Sequence, residues 1–156
     1  MGALKDCEVV ADWLLGQRVN SLTALGFVVV GVLIISRTER LWVGLGSIAT
    51  GIGSFLFHGP MPSWAQVPHD ATLWFLIGVS VAAIVIDLRH GAPWRPLIGP
   101  VVLLGSVAII GRLGATGGPL CDPGSLLQPH GLWHLGAAGA VFWWALRYPR
   151  PTQTDP

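Results

Sequence analysis

The stretch LWVGLGSIATGIGSFLFHG, residues 41–59, decides how this chain is read. A helix needs about 20 apolar residues to cross the hydrocarbon of a bilayer. This run has that length and contains no Asp, Glu, Lys or Arg. Yet near its end it carries Ser54 and His58, spaced i and i+4 and therefore stacked on one helix face. Ionisable groups at membrane depth are costly and mark function more often than packing.

Working outward, four more apolar runs share the pattern: SLTALGFVVVGVLIIS (21–36), ATLWFLIGVSVAAIVI (71–86), LIGPVVLLGSVAIIG (97–111) and HGLWHLGAAGAVFWWAL (130–146). The 97–111 run is the shortest and contains Pro100, which makes it the weakest span. The frequent glycines and alanines suit close helix packing in lipid. The chain is 52% hydrophobic and only 11% charged. A soluble domain carries about 25% charged residues, so five such runs would leave a soluble fold with too little polar surface. The expected fold class is therefore all-α, a polytopic transmembrane helix bundle of about five spans. It forms a single domain over 1–156, with an N-terminal segment at 1–20 and a flexible tail at 148–156. The start, MGALKDCEVVADW, lacks the basic and apolar regions of a cleavable signal peptide, so the first span is expected to direct insertion. A net charge of +1 gives no footprint for nucleic acid or for a polybasic membrane-surface role.

If the spans alternate, Arg37, Arg40, Arg89, Arg95, Arg147 and Arg150 fall at one end of the bundle, and Lys5, Arg18 and Arg112 at the other. Basic residues collect on the cytoplasmic side. The chain is therefore expected to be a multi-pass membrane protein with an extracytoplasmic N-terminus and a cytoplasmic C-terminus. Trp42, Trp94, Trp143 and Trp144 near one end, and Trp13, Trp64, Trp74 and Trp133 near the other, fit two interfacial belts; core packing is the alternative for some of them.

The same alternation brings Ser54, His58, Asp70, His130 and His134 to the N-terminal end at similar depth. His130 and His134 are again i and i+4, the spacing with which two imidazoles grip one metal ion. With His58 they make a three-histidine set that leaves a coordination position open, the pattern of catalytic rather than structural zinc. Zinc brings the pKa of a bound water to about 7. Ser54 is placed to hold an oxyanion or the water, and Asp70 to move a proton. Taken singly, each element has a plainer reading. A HxxxH pair arises by chance, serine is common in packed membrane helices, and Asp70 suits a helix cap. Their convergence on one face is what argues for a metal site. His69 and His90 read as interfacial, with His69, beside Asp70, a rival ligand. Cys7 and Cys121 fall at the same end, either as free thiols or as a disulfide clamping the N-terminus over the site.

Residues CEVVADWLLGQRVNSLTALGF (7–27), GIGSFLFHG (51–59), Asp70 and the segment from Cys121–Asp122–Pro123 to HGLWH (130–134) resemble the alkaline ceramidase family. That family belongs to a membrane hydrolase superfamily with a SxxxH, Asp and HxxxH signature, which also holds adiponectin-receptor-like proteins and GPI-lipid remodelling factors. The Cys7–Glu8 pair, the Asn20–Ser21 step and the aromatic in HGLWH are features of the ceramidase branch. The resemblance covers residues 7–86 and 118–147. It implies that His58, His130 and His134 bind zinc. It also implies that Ser54 and Asp70 assist hydrolysis of the ceramide amide to a sphingoid base and a fatty acid, with the lipid arriving sideways from the bilayer. Family members have seven spans; here the missing pair falls between Asp70 and His130, so the cavity would be shallower or completed by a homodimer. Eukaryotic members also bind calcium near the N-terminus. Glu8 matches that pattern, whereas Gln17 and Val10 replace expected ligands and only Asp6 and Asp12 stand by as substitutes, which argues against a strong calcium site. Hydrolysis of another acyl lipid, ester or amide, and a non-catalytic receptor-like or structural role are the competing readings.

Overall fold

Each of the apolar runs folds as a helix. The computed structural model describes residues 6–11 and 14–147, so the expectations for Lys5, Asp12, Trp13 and the 148–156 tail lie outside the described residues. The helices are α1 (Arg18–Arg37), α2 (Leu41–His58), α3 (Gln66–Arg89), α4 (Ile98–Leu113) and α5 (Pro129–Arg147), with a short 3-10 turn, Arg95–Leu97, leading into α4. No strand occurs among the described residues. The helices extend one to several residues beyond most of the apolar runs, because polar flanks continue the backbone hydrogen bonding out of the apolar zone. Pro100 does not weaken α4: it lies in the first turn, where the backbone N–H has no intrahelical acceptor.

Four stretches are long and apolar enough to cross a membrane: α1, α2, α3, and α4 with its leading turn. α5 falls outside this group. It devotes positions to His130 and His134, which lower its hydropathy below the level that marks a membrane span.

α1 is the centre of the arrangement. It packs on α2 and α5, while α3 lies outside α2 and α4 outside α5. The core joins Phe27 and Ile34 of α1, Val43 of α2, Leu76 of α3, and Ala137, Ala138, Trp144 and Ala145 of α5. The outer helices bury very little: Leu76 alone in α3, Pro100 and Val107 in α4. Their surfaces are lined with Val, Ile and Leu, which water would penalise and lipid would not.

Small residues set how close the helices come. A β-carbon at Gly31 would lie 2.5 Å from the Gly44 carbonyl oxygen, and one at Gly51 would lie 2.9 Å from the Val28 nitrogen, so α1 and α2 touch backbone to backbone. At the far end, Arg40 donates to Asp87 at 2.6 Å and sits 4.6 Å above the Trp144 ring. That contact ties the α1–α2 connection to α3 and α5. It also makes Trp144, 3% exposed, a core residue rather than a belt residue, whereas Trp42, Trp64, Trp74 and Trp94 are exposed.

At the opposite end the N-terminal segment is fastened several times. Cys7 and Cys121 form a disulfide. Cys7 N–H donates to Thr116 Oγ1 at 3.1 Å, and Val9 N–H to the Pro123 carbonyl at 3.2 Å. The Glu8 carboxylate accepts the N–H groups of Val19 (2.6 Å) and Asn20 (2.9 Å), so a residue distant in sequence caps α1. Gly16 and Gln17 donate backbone N–H groups to the Gly59 and His58 carbonyls, which the end of α2 leaves unpaired. These bonds bring the start of α1 beside the last residue of α2.

The Gly31–Gly44 crossing predicts that Gly31→Leu costs about 1–3 kcal/mol, typical of an overpacked core. Thermal unfolding in detergent should show a clearly lowered Tm. Gly78→Leu, where an added β-carbon meets nothing within 4 Å, should unfold like the wild type.

Candidate metal centre

Three imidazoles meet where α2 ends and α5 begins. His58 is the final residue of α2; His130 and His134 lie in the first two turns of α5. One nitrogen from each falls within 4.8 Å of the other two. The ring centroids are 4.9 Å apart for His58–His130, 5.2 Å for His58–His134 and 4.6 Å for His130–His134. His58 and His134 are fully buried and His130 is partly so. Of the five residues expected to converge, the three histidines are thus brought together.

The surrounding bonds decide which nitrogen each ring turns inward. His58 Nδ1 lies 2.7 Å from Gln17 Oε1. His134 Nδ1 lies 3.1 Å from the Asn20 carbonyl and 3.3 Å from Thr23 Oγ1. These oxygens accept a proton carried on Nδ1, which makes Nε2 the lone-pair nitrogen of both rings. His130 Nδ1 lies 3.5 Å from Asp6 Oδ1. The Nε2 atoms of His58 and His130 are buried and have no hydrogen-bond partner. An unpaired imidazole nitrogen in the interior costs free energy that a bound ion would recover. Three neutral imidazoles, each with its outer nitrogen beside an oxygen, fit a divalent transition metal.

The other expected residues are placed differently from one another. Ser54 is buried one turn before His58 on the same helix. Asp70 is exposed, and its carboxylate lies 2.8 Å from His69 Nδ1. The His69 ring stacks on Phe57 at 4.5 Å and lies 6.1 Å from the His58 ring, so Asp70 is bonded to a neighbour of the cluster and does not join the three histidines. His90 ends α3 at the far end of the bundle. Gln128, 1% exposed, holds the connection before α5 by donating to the Asp122 and Ser125 carbonyls, which fixes where His130 begins the helix.

A cleft of about 260 Å³ between α4 and α5 reaches the cluster; Asp6, His130, Trp133 and Arg112 line it together with the small residues Ala108 and Gly111. The sequence reading gives Gln17, Asn20 and Thr23 no role as partners of the histidines. The signal was there: Gln17, Asn20 and Ser21 form a polar i, i+3, i+4 stripe, all fully buried, at the mouth of an apolar run.

Removing an outer partner of a metal-binding histidine typically lowers metal affinity about 10–100-fold. Gln17→Ala should therefore weaken the binding of a divalent transition metal by that factor in a chelator competition, and Gln17→Glu, which keeps the acceptor, should recover most of it. Equal affinity in all three proteins would show that the His58–Gln17 bond does not orient the ring.

No family model matches this chain, and neither a curated protein nor a solved structure matches it.

Proposed function

We propose that the chain is a zinc-dependent intramembrane hydrolase that cleaves the amide bond of ceramide-like lipids. The observation that carries the proposal is the buried three-histidine cluster with unpartnered nitrogens. His58, His130 and His134 would hold the ion, and three nitrogen donors are the ligand set of hydrolytic zinc. When bound, zinc supplies Lewis-acid chemistry, polarising a carbonyl and acidifying water.

The chain's own groups take the remaining parts. Ser54, buried beside the cluster, is the hydroxyl donor for the developing oxyanion. The Asp70–His69 pair, 2.8 Å across, is the route by which a proton leaves the attacking water and reaches the departing amine. Water adds to the carbonyl carbon, the C–N bond breaks, the fatty acid keeps the oxygen and the sphingoid base keeps the proton. The apolar surfaces of α3 and α4 and the α4–α5 cleft suit a substrate that arrives from the bilayer. The choice of an amide, and of ceramide, rests on the resemblance of residues 7–27, 51–59, Asp70 and 130–134 to alkaline ceramidases.

In this reading all five helices cross the membrane and the metal end faces outside or a lumen. Two independent features support that orientation: the arginine excess at the opposite end, and a disulfide at the metal end, a bond that persists in oxidising compartments.

Purified protein assayed with matched N-acyl and O-acyl lipids should release fatty acid from the N-acyl substrate. Ser54→Ala and Asp70→Asn should each lower turnover at least about 100-fold, the scale of a lost oxyanion donor or proton-transfer group, with zinc content retained. Release from the O-acyl lipid alone would move the activity to ester hydrolysis. Release from neither, with zinc bound, would refute a hydrolase.

A further inference from the structure

Asp6 is the residue at this site that the hydrolytic mechanism leaves without a task. Its Oδ1 lies 3.5 Å from His130 Nδ1 and its Oδ2 lies 4.0 Å from His58 Nδ1. It also lines the cleft together with His130. His58 has Gln17 and His134 has Asn20 and Thr23 at the outer nitrogen; Asp6 is what stands at that position for His130. His130 differs from the other two in a second respect. It is the most accessible of the three, its side chain 20% exposed, so packing constrains it least.

No helix holds Asp6 in place. It directly precedes Cys7, whose bond to Cys121 fixes the segment to the connection between α4 and α5. The neighbouring Cys7 N–H bond to Thr116 anchors the segment to the same connection.

We propose that Asp6 is a positioning residue that orients His130 for the metal, and that the Cys7–Cys121 disulfide is the covalent one among the ties that keep it there. The inference rests on the metal reading of the three histidines but not on the identity of the substrate. A carboxylate close to Nδ1, here at 3.5 Å, favours the tautomer with its lone pair on Nε2, the atom left unpartnered in His130, and makes that nitrogen a better donor. Opening the disulfide takes two electrons and two protons from a reductant and leaves two thiols. It would loosen the hold on Asp6 beside His130 while leaving the three histidines on their helices.

The test uses the purified full-length chain in detergent and reads zinc affinity by chelator competition, together with the visible absorption of the cobalt-loaded protein. Asp6→Ala should weaken zinc about 10–100-fold and alter the cobalt spectrum, with helix content and Tm unchanged. Asp6→Asn, which still presents an oxygen, should fall between Asp6→Ala and wild type. A phosphine reductant, chosen because thiols bind zinc, should weaken wild type in the same direction. The reductant should have no effect on Asp6→Ala beyond that of the substitution. Wild-type affinity and spectrum in Asp6→Ala would overturn the role of Asp6. An unchanged affinity on verified reduction of wild type would overturn the role of the disulfide. A wild-type protein that binds neither metal would instead remove the metal reading beneath both.

Discussion

Three buried imidazoles with their lone pairs turned toward one another are an unstable arrangement unless something sits between them. Protonating one ring places a charge in an apolar interior beside two others; leaving all three neutral strands the Nε2 atoms of His58 and His130 without partners. A divalent ion resolves both problems at once. The remainder of the metal end reads as the means of enforcing that geometry, with oxygens of Gln17, Asn20 and Thr23 at the outer nitrogens of His58 and His134. Stability at this end is given up locally for a site, and recovered by Glu8 capping α1, the disulfide, and the backbone bonds from Gly16 and Gln17 to the end of α2.

Helix order explains how a small chain assembles such a site. α1 touches both α2 and α5, so the His58 helix and the His130–His134 helix are set by a shared neighbour. Their spacing follows from glycine contacts: Gly31 of α1 against α2, Gly51 of α2 against α1, and Gly131 of α5, where a β-carbon would lie 3.0 Å from Val19 of α1. The Arg40–Asp87–Trp144 contact fixes the opposite end, where an ion pair nearly excluded from water acts as a tie between helices. α3 and α4 add few buried residues and offer apolar surface outward, which a bilayer would cover.

Much of this was legible in the sequence because lipid imposes simple rules. Apolar runs without charge became helices, and the order of those helices put His58, His130 and His134 at one end. Two things were not legible. Asp70 and His69 are adjacent in sequence, and only side-chain direction in the first turn of α3 determines that the carboxylate turns onto its neighbour. The outer partners escaped because they come from groups that carry no motif: a backbone carbonyl of Asn20, an amide of Gln17, and Asp6, which precedes a cysteine bridged across 114 positions. The span count shows the same limit. α5 has the length of its neighbours, but the histidines that give it chemistry dilute its hydropathy.

The central claim is that these three imidazoles hold one metal ion. Elemental analysis of protein purified without chelators tests it directly. The account predicts a single equivalent of zinc per chain in the wild type and background levels in His58→Ala, whose helix fold persists. A wild type without metal, or a His58→Ala protein with undiminished zinc, would contradict it.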